Sequence, residues 1–311
     1  MLEKLRHIVL IFSILPVLAH AQVDSSFTIT DLIGSPSSVQ PTQAVLWKIE
    51  GEGLPAPSYI YGVLHKVRKP YFFIHPEINT ISQKVDLILM AVDPLNYDID
   101  YLQRGTIPLD STLDVLLPPK TYRWMEKFID DSLSERSRDQ FMGRYPPLYL
   151  ARQMMSDYCL GFGPEFEPLS YEEYLRTAIP KPFEFVGTGW TRTAWIESFS
   201  YRDQTEELLI LLDKRRSKCK TYQTIMESYR KEDLDQVWLL SVDAPDFGGN
   251  MSQLVEVRNQ AWMNSLRYKI YNQPVLAIMH AVQLPGEYGL LHQLRKQGFK
   301  VTGVSLNTQT E

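Results

Sequence analysis

The side chains able to do chemistry in this chain fall where apolar runs end. Tyr59-Ile-Tyr-Gly-Val-Leu-His65 alternates large apolar residues like a strand and closes on an imidazole. Asp86-Leu-Ile-Leu-Met-Ala-Val-Asp93 is a nearly continuous apolar strand ending in a carboxylate, and the buried strand Gln273-Pro-Val-Leu-Ala-Ile-Met279 runs directly into His280-Ala-Val-Gln283. Loops at strand ends are where sheet proteins usually keep their chemistry. The same residues have a plainer reading. Gly62 lets another backbone or a ligand come near because it has no side chain, and His65 taken alone is more simply a hydrogen-bonded core histidine.

The elements around these ends form an α/β pattern. Leu46-Trp-Lys-Ile-Glu50 and Tyr59 to Val63 flank a Gly/Pro-rich connection, which fits an antiparallel pair, so the sheet is expected to be mixed. Pro76 to Lys84 reads as a short helix opened by proline. From Thr112 to about Ser170 the pattern is helical, and Ser170-Tyr-Glu-Glu173 has the spacing of a capping box. Phe183 to Val186 is a short strand ending at Gly187-Thr-Gly189, read as a tight turn rather than an anion cradle. Helices continue from about Tyr201 to Leu240 and from Met251 to Tyr271. In the latter, Arg258 shares a face with Leu254 and Trp262, and it either meets a buried carboxylate or lays its stem over apolar surface. Leu284-Pro-Gly-Glu287 reads as the start of a helix that Gly298 ends before a last strand, Phe299 to Val304. The fold class expected is α/β: a mixed sheet from strands near Leu46, Tyr59, Leu87, Phe183, Val275 and Val301, with flanking helices and a largely helical middle section.

The 311 residues carry a formal charge of −5, which argues against nucleic acid as the main partner. Residues 1–21 have the form of a signal peptide: Lys4 and Arg6, an apolar run too short to span a bilayer, and Ala19-His-Ala21 as a small-x-small cleavage site. Residues 22–44 are rich in Ser, Thr and Pro and read as a mobile leader, 45–305 as one domain, and 306–311 as a tail. The expected product is a periplasmic or extracellular protein that does not span the membrane. The two cysteines, Cys159 and Cys219, would lie in a compartment that permits disulfides, but their pairing stays open.

Tyr61-Gly-Val-Leu-His65, Ser111-Thr-Leu-Asp-Val-Leu-Leu117, Val257-Arg-Asn-Gln-Ala-Trp262 and Leu284-Pro-Gly-Glu-Tyr-Gly-Leu-Leu291, in this order, resemble the TraB/GumN family (TraB/PrgY/GumN) over most of the chain from Leu46 to Val304. The resemblance implies a relation to metal-dependent peptidases. It also implies a first Gly-x-x-His on an early strand, a Glu-x-Asp on the next, and a second Gly-x-x-His before the Leu-Pro-Gly turn. Gly62 and His65 match the first element. In the second, Ala91 stands at the acidic position and Asp93 is kept; in the third, His280 and Gln283 stand at the glycine and histidine positions.

A catalytic zinc site usually takes about three ligands from His, Asp, Glu or Cys. Alanine has no donor atom and a carboxamide is a poor transition-metal ligand. Beyond the leader the histidines are His65, His75, His280 and His292. Two functions are compatible with this set. In the first, the frame persists and the chemistry is lost, leaving a cleft of Gly62, His65, Asp93, His280, Gln283 and Arg258 that binds a peptide or small polar ligand. In the alternative, His65, Asp93 and His280 rebuild a site for a divalent metal ion, and water is activated for peptide or amide hydrolysis with Glu77 or Glu287 as base. A cysteine or serine nucleophile has no motif behind it.

Overall fold

The computed structural model describes residues 41–91, 107–142, 145–161, 168–187, 194, 196–241 and 251–306. The chain divides into two compact units, Met1–Ser38 and Val39–Glu311, and every described residue belongs to the second. The signal segment, the leader up to residue 40, Asp93 and the tail beyond residue 306 lie outside the described residues.

The elements in chain order are β1 (Leu46–Glu50), β2 (Ser58–Val63), β3 (Lys66–Val67), α1 (Ile78–Lys84), β4 (Leu87–Met90), α2 (Leu113–Leu116), α3 (Pro119–Ser132), α4 (Glu135–Met142), α5 (Pro147–Leu160), β5 (Leu169–Ser170), α6 (Tyr171–Ala178), β6 (Phe183–Phe185), α7 (Tyr201–Asp213), α8 (Arg215–Arg230), α9 (Leu234–Ser241), α10 (Met251–Asn272), β7 (Val275–His280), α11 (Leu290–Lys296) and β8 (Lys300–Val304). Six strands form one sheet in the order β6-β4-β7-β2-β1-β8. β1 is antiparallel to both β2 and β8, whereas β7 is parallel to β2 and β4, and β4 is parallel to β6. The sheet is mixed, as the Gly/Pro-rich turn after β1 requires.

This topology gathers the strand ends. In register, Val63 lies beside His280 and Met90 beside Ile278. The segments that follow β2, β4 and β7 therefore leave the sheet at one edge, the edge where open α/β sheets bind ligands. The central strands β4 and β7 are apolar because both faces are covered: all four residues of β4 and the first five of β7 are buried. The helical middle section has its own core, in which Met125, Ile129, Leu150, Met154, Leu208 and Leu211 meet.

Two differences from the sequence reading have clear causes. Order begins by Thr42, which is buried, binds Asp235 through its amide at 2.8 Å and receives the amide of Leu234 at 3.0 Å. Leu284 to Gly289 is not the start of a helix: Gly286 takes φ +85°, which a helix cannot contain, and α11 starts at Leu290 with Gly289 as its N-cap. Proline and glutamate after Leu284 imitate a helix start, and the backbone instead makes a tight loop.

Candidate functional site

His65 stands two residues beyond β2, where the chain turns into β3. β3 pairs with β5 over two residues, Lys66 with Ser170 and Val67 with Leu169. Ser170 then caps α6, accepting the amide of Glu173 at 3.3 Å, as the capping-box spacing predicts. The next residues are held by rings. Tyr171 is fully buried among Tyr61, Phe72 and Tyr229, and its hydroxyl accepts the amide of Phe73 at 3.1 Å. Burial pushes the Tyr171 phenol up to about 12, so it serves as a neutral strut. The short ladder and the strut together deliver Glu172 to His65, with Oε1 3.3 Å from Nδ1.

This pair is the centre of the site. The His65 side chain is 38% exposed and that of Glu172 17%. Burial by itself would raise the Glu172 carboxyl, but the His65 ring, with a smaller contribution from His280, holds it below the ordinary carboxylate range. Its place in the first turn of α6 also suits a negative charge. A carboxylate on Nδ1 fixes the ring and leaves Nε2 to face a ligand or take a proton.

His280 ends β7 beside them. Its Nδ1 accepts the amide of Val282 at 3.4 Å, which leaves the ring proton on Nε2. Burial pushes this imidazole down to about 3; Glu172 opposes that, while His65, Arg258 and Arg152 reinforce it. It is neutral at physiological pH. Arg258 is buried on α10, with its guanidinium carbon 5.2 Å from the centre of the Trp262 ring.

Gln283 is 1% exposed. Its backbone carbonyl accepts Asn259 Nδ2 at 2.9 Å, and the same nitrogen reaches the carbonyl of Tyr288 at 2.7 Å. The side-chain oxygens of Gln283 and Asn259 and the indole nitrogen of Trp262, all buried, meet no hydrogen-bond partner among the described residues. Gly62 is filled against rather than open: a Cβ there would come within 2.8 Å of Leu284 Cδ2 and 3.5 Å of the Ala281 backbone. The glycine lets the Leu-Pro-Gly loop rest on β2. Ala91 is partly buried, and its carbonyl accepts the amide of Gly187 at 3.0 Å, which uses that amide in the sheet rather than in an anion cradle.

The structure thus brings together His65, His280, Gln283 and Arg258 around the sheet edge, and Asp93 lies outside the described residues. The carboxylates considered as bases stand elsewhere. Glu77 acts on His75 and the exposed Glu287 on His292. Sequence reasoning missed Glu172, whose only signal was an acid in the first turn of a serine-capped helix, and Arg152.

A protein-family model, the TraB/PrgY/gumN family, matches residues 45–303. The chain belongs to the TraB/PrgY/gumN family. Neither the curated proteins nor the solved structures include a match to it. Whether this TraB-family chain can hold the metal of its resemblance depends on its donors. Ala91 offers no side-chain donor and Gln283 offers a carboxamide. Among the described residues, no group of three or more His, Cys, Asp or Glu side chains is arranged to hold a metal ion.

Proposed function

We propose that this protein is an exported TraB-family member whose cleft at the sheet edge binds a polar or peptide ligand, and that it is a degenerate relative of metal-dependent peptidases, non-catalytic or weakly active. One observation carries the reading: Gln283, where the family resemblance has a histidine, is buried with a side-chain oxygen that no described residue satisfies. Native proteins rarely leave such an acceptor bare. Asn259 Oδ1 and Trp262 Nε1 are in the same condition, and Asn259 and Trp262 are neighbours on one face of α10. Two acceptors and one donor match the N–H and C=O groups of a peptide or carboxamide, and the partly exposed His65 ring adds a further contact. The Cys159–Cys219 disulfide supports export, since such bonds persist in oxidising compartments. No helix among the described residues is long and apolar enough to cross a membrane.

The test is a thermal-shift screen of peptides and small polar molecules, followed by calorimetric titration of each hit against wild type, His65→Ala and Gln283→Leu. A ligand that raises Tm in the wild type and loses at least about tenfold in affinity, roughly 1.4 kcal/mol, in both variants supports the reading. Silence across the panel, or hits indifferent to both substitutions, would sink it.

Metal-assisted hydrolysis is the second reading. It is favoured by the electrostatic linkage of His65, Glu172 and His280, which puts two imidazoles and a carboxylate in one neighbourhood. Elemental analysis of protein purified without chelator decides it: a near-stoichiometric metal lost in His65→Ala would replace the first reading with this one.

A further inference from the structure

The segment that carries His65 is held from outside the sheet by two helices, and a disulfide joins those helices to each other. α8 donates to three backbone carbonyls along it. Tyr229 reaches Gly62 at 2.8 Å, Tyr222 reaches Lys66 at 2.9 Å and Arg230 reaches Pro70 at 2.9 Å. The last turn of α5 holds the same segment through the carbonyl of Cys159, which accepts Arg68 Nη2 at 2.5 Å. Cys219, Tyr222, Met226 and Tyr229 fall at i, i+3, i+7 and i+10, so the bond and both phenols lie on one face of α8. Cys159 on α5 and Cys219 on α8 are bonded, with their Cα atoms 4.9 Å apart.

We propose that the Cys159–Cys219 bond is a redox control on the site. Closed, it fixes α8 against α5, so that the grips at Gly62, Lys66, Arg68 and Pro70 keep β3 paired with β5 and His65 opposite Glu172. Opened, it leaves the two helices without their covalent tie, and the His65 segment loses its fixed frame. The ladder gives that pairing little strength of its own, because β3 and β5 share only two residues each. Access is one-sided. Cys159 is buried, whereas Cys219 is partly exposed on a helix whose neighbours Arg216, Ser217 and Lys220 face solvent. A dithiol reductant therefore attacks Sγ of Cys219 as a thiolate, and the S–S bond breaks to release Cys159 as a thiolate that takes a proton. The reductant's second thiol, losing its proton, then displaces Cys219, which leaves as a thiolate and is protonated in turn. Two electrons pass to the protein, and the reductant ends as a disulfide. This inference concerns the frame of the site and does not depend on which ligand the cleft takes.

The experiment is hydrogen exchange read by mass spectrometry on the wild-type protein, oxidised and after native-state treatment with dithiothreitol, with Cys159→Ala/Cys219→Ala alongside. Amides of 62–70 and 169–172 are expected to accelerate at least about tenfold more than those of β7, the signature of local rather than global opening, and removal of reductant with reoxidation should restore them. Equal acceleration of both regions would mean that the bond only adds global stability, and would overturn the proposal. Unchanged exchange in 62–70 would do the same, as would a bond that dithiothreitol opens only after urea unfolding. Should the double variant fail to fold, the reduced wild type alone decides between these outcomes.

Discussion

Glu172 shows how a residue's role depends on a contact the sequence hides. On paper it is one of two acids in the first turn of a helix, adequately explained by the helix dipole. In the fold it faces His65 at 3.3 Å while Glu173 gives its amide to the Ser170 cap. Nothing in Leu169-Ser-Tyr-Glu172 announces this, because a two-residue ladder has no periodicity to read. His65 and His280 are legible, since each closes an apolar run. Replacing Glu172 by Gln keeps the shape and removes the charge. A charge-assisted hydrogen bond contributes roughly 1 kcal/mol more than a neutral one, so the affinity of any ligand that uses His65 should fall about fivefold to tenfold in calorimetric titration. An unchanged affinity would show that the carboxylate does not orient the ring. The opposite lesson comes from His75, which is as buried as any core residue and is used at both nitrogens by the backbone. It is the core histidine that His65 resembles on sequence grounds alone.

At the scale of elements, the six strands are readable because each is a short apolar run between turn residues. Their spatial order is not, because pairing is set by which faces fit. The loop at Leu284 to Gly289 reads as a helix for a physical reason: Pro285 and Glu287 are good first-turn residues, and only Gly286 at φ +85° and the crowding at Gly289 speak against it. That crowding gives a comparison between two glycines. A Cβ on Gly62 would press a leucine methyl, which can turn aside, whereas one on Gly289 would overlap the carbonyl oxygens of Leu284 and Pro285, which cannot. Gly62→Ala should therefore cost about 1 kcal/mol and Gly289→Ala more than about 3 kcal/mol in urea unfolding. Since the Gly289 loop accepts Asn259 at Gln283 and Tyr288, its variant should also disturb the placement of Gln283 and Asn259. Equal costs for the two substitutions would refute this account of the loop.

For the whole molecule, the two ends of the described unit meet at one buried carboxylate. Glu232 accepts the amide of Val45 at 3.4 Å and that of Leu306 at 3.0 Å. It does so at φ 60°, a left-handed conformation unusual outside glycine. Near this closure, His75 joins β8 by a bond between Nε2 and the Val304 carbonyl at 3.1 Å, and its Nδ1 accepts the Glu77 amide at 3.2 Å. An Nδ1 that accepts leaves the ring neutral. Burial holds His75 below its ordinary 6.5, outweighing Glu232, which pulls the other way. The sign comes from proton counting. Below pH 6.5 the unfolded chain binds a proton at His75 that the folded chain refuses, so the stability is fully present above 6.5 and is lost as pH falls toward the depressed folded value. His280, pushed down to about 3, acts in the same sense over a window from 6.5 to about 3. Each histidine can add at most about 1.4 kcal/mol per pH unit to the slope. Urea midpoints should therefore decline from about pH 7.5 to about pH 5, before most carboxylates titrate. His75→Asn, whose Oδ1 can still accept from Glu77 but whose amide is too short to reach Val304, should start less stable at about pH 7.5 and decline less steeply. A variant with the same slope as the wild type would mean that His75 is protonated in the fold, and that its ties to Val304 and Glu77 are not those of a neutral ring.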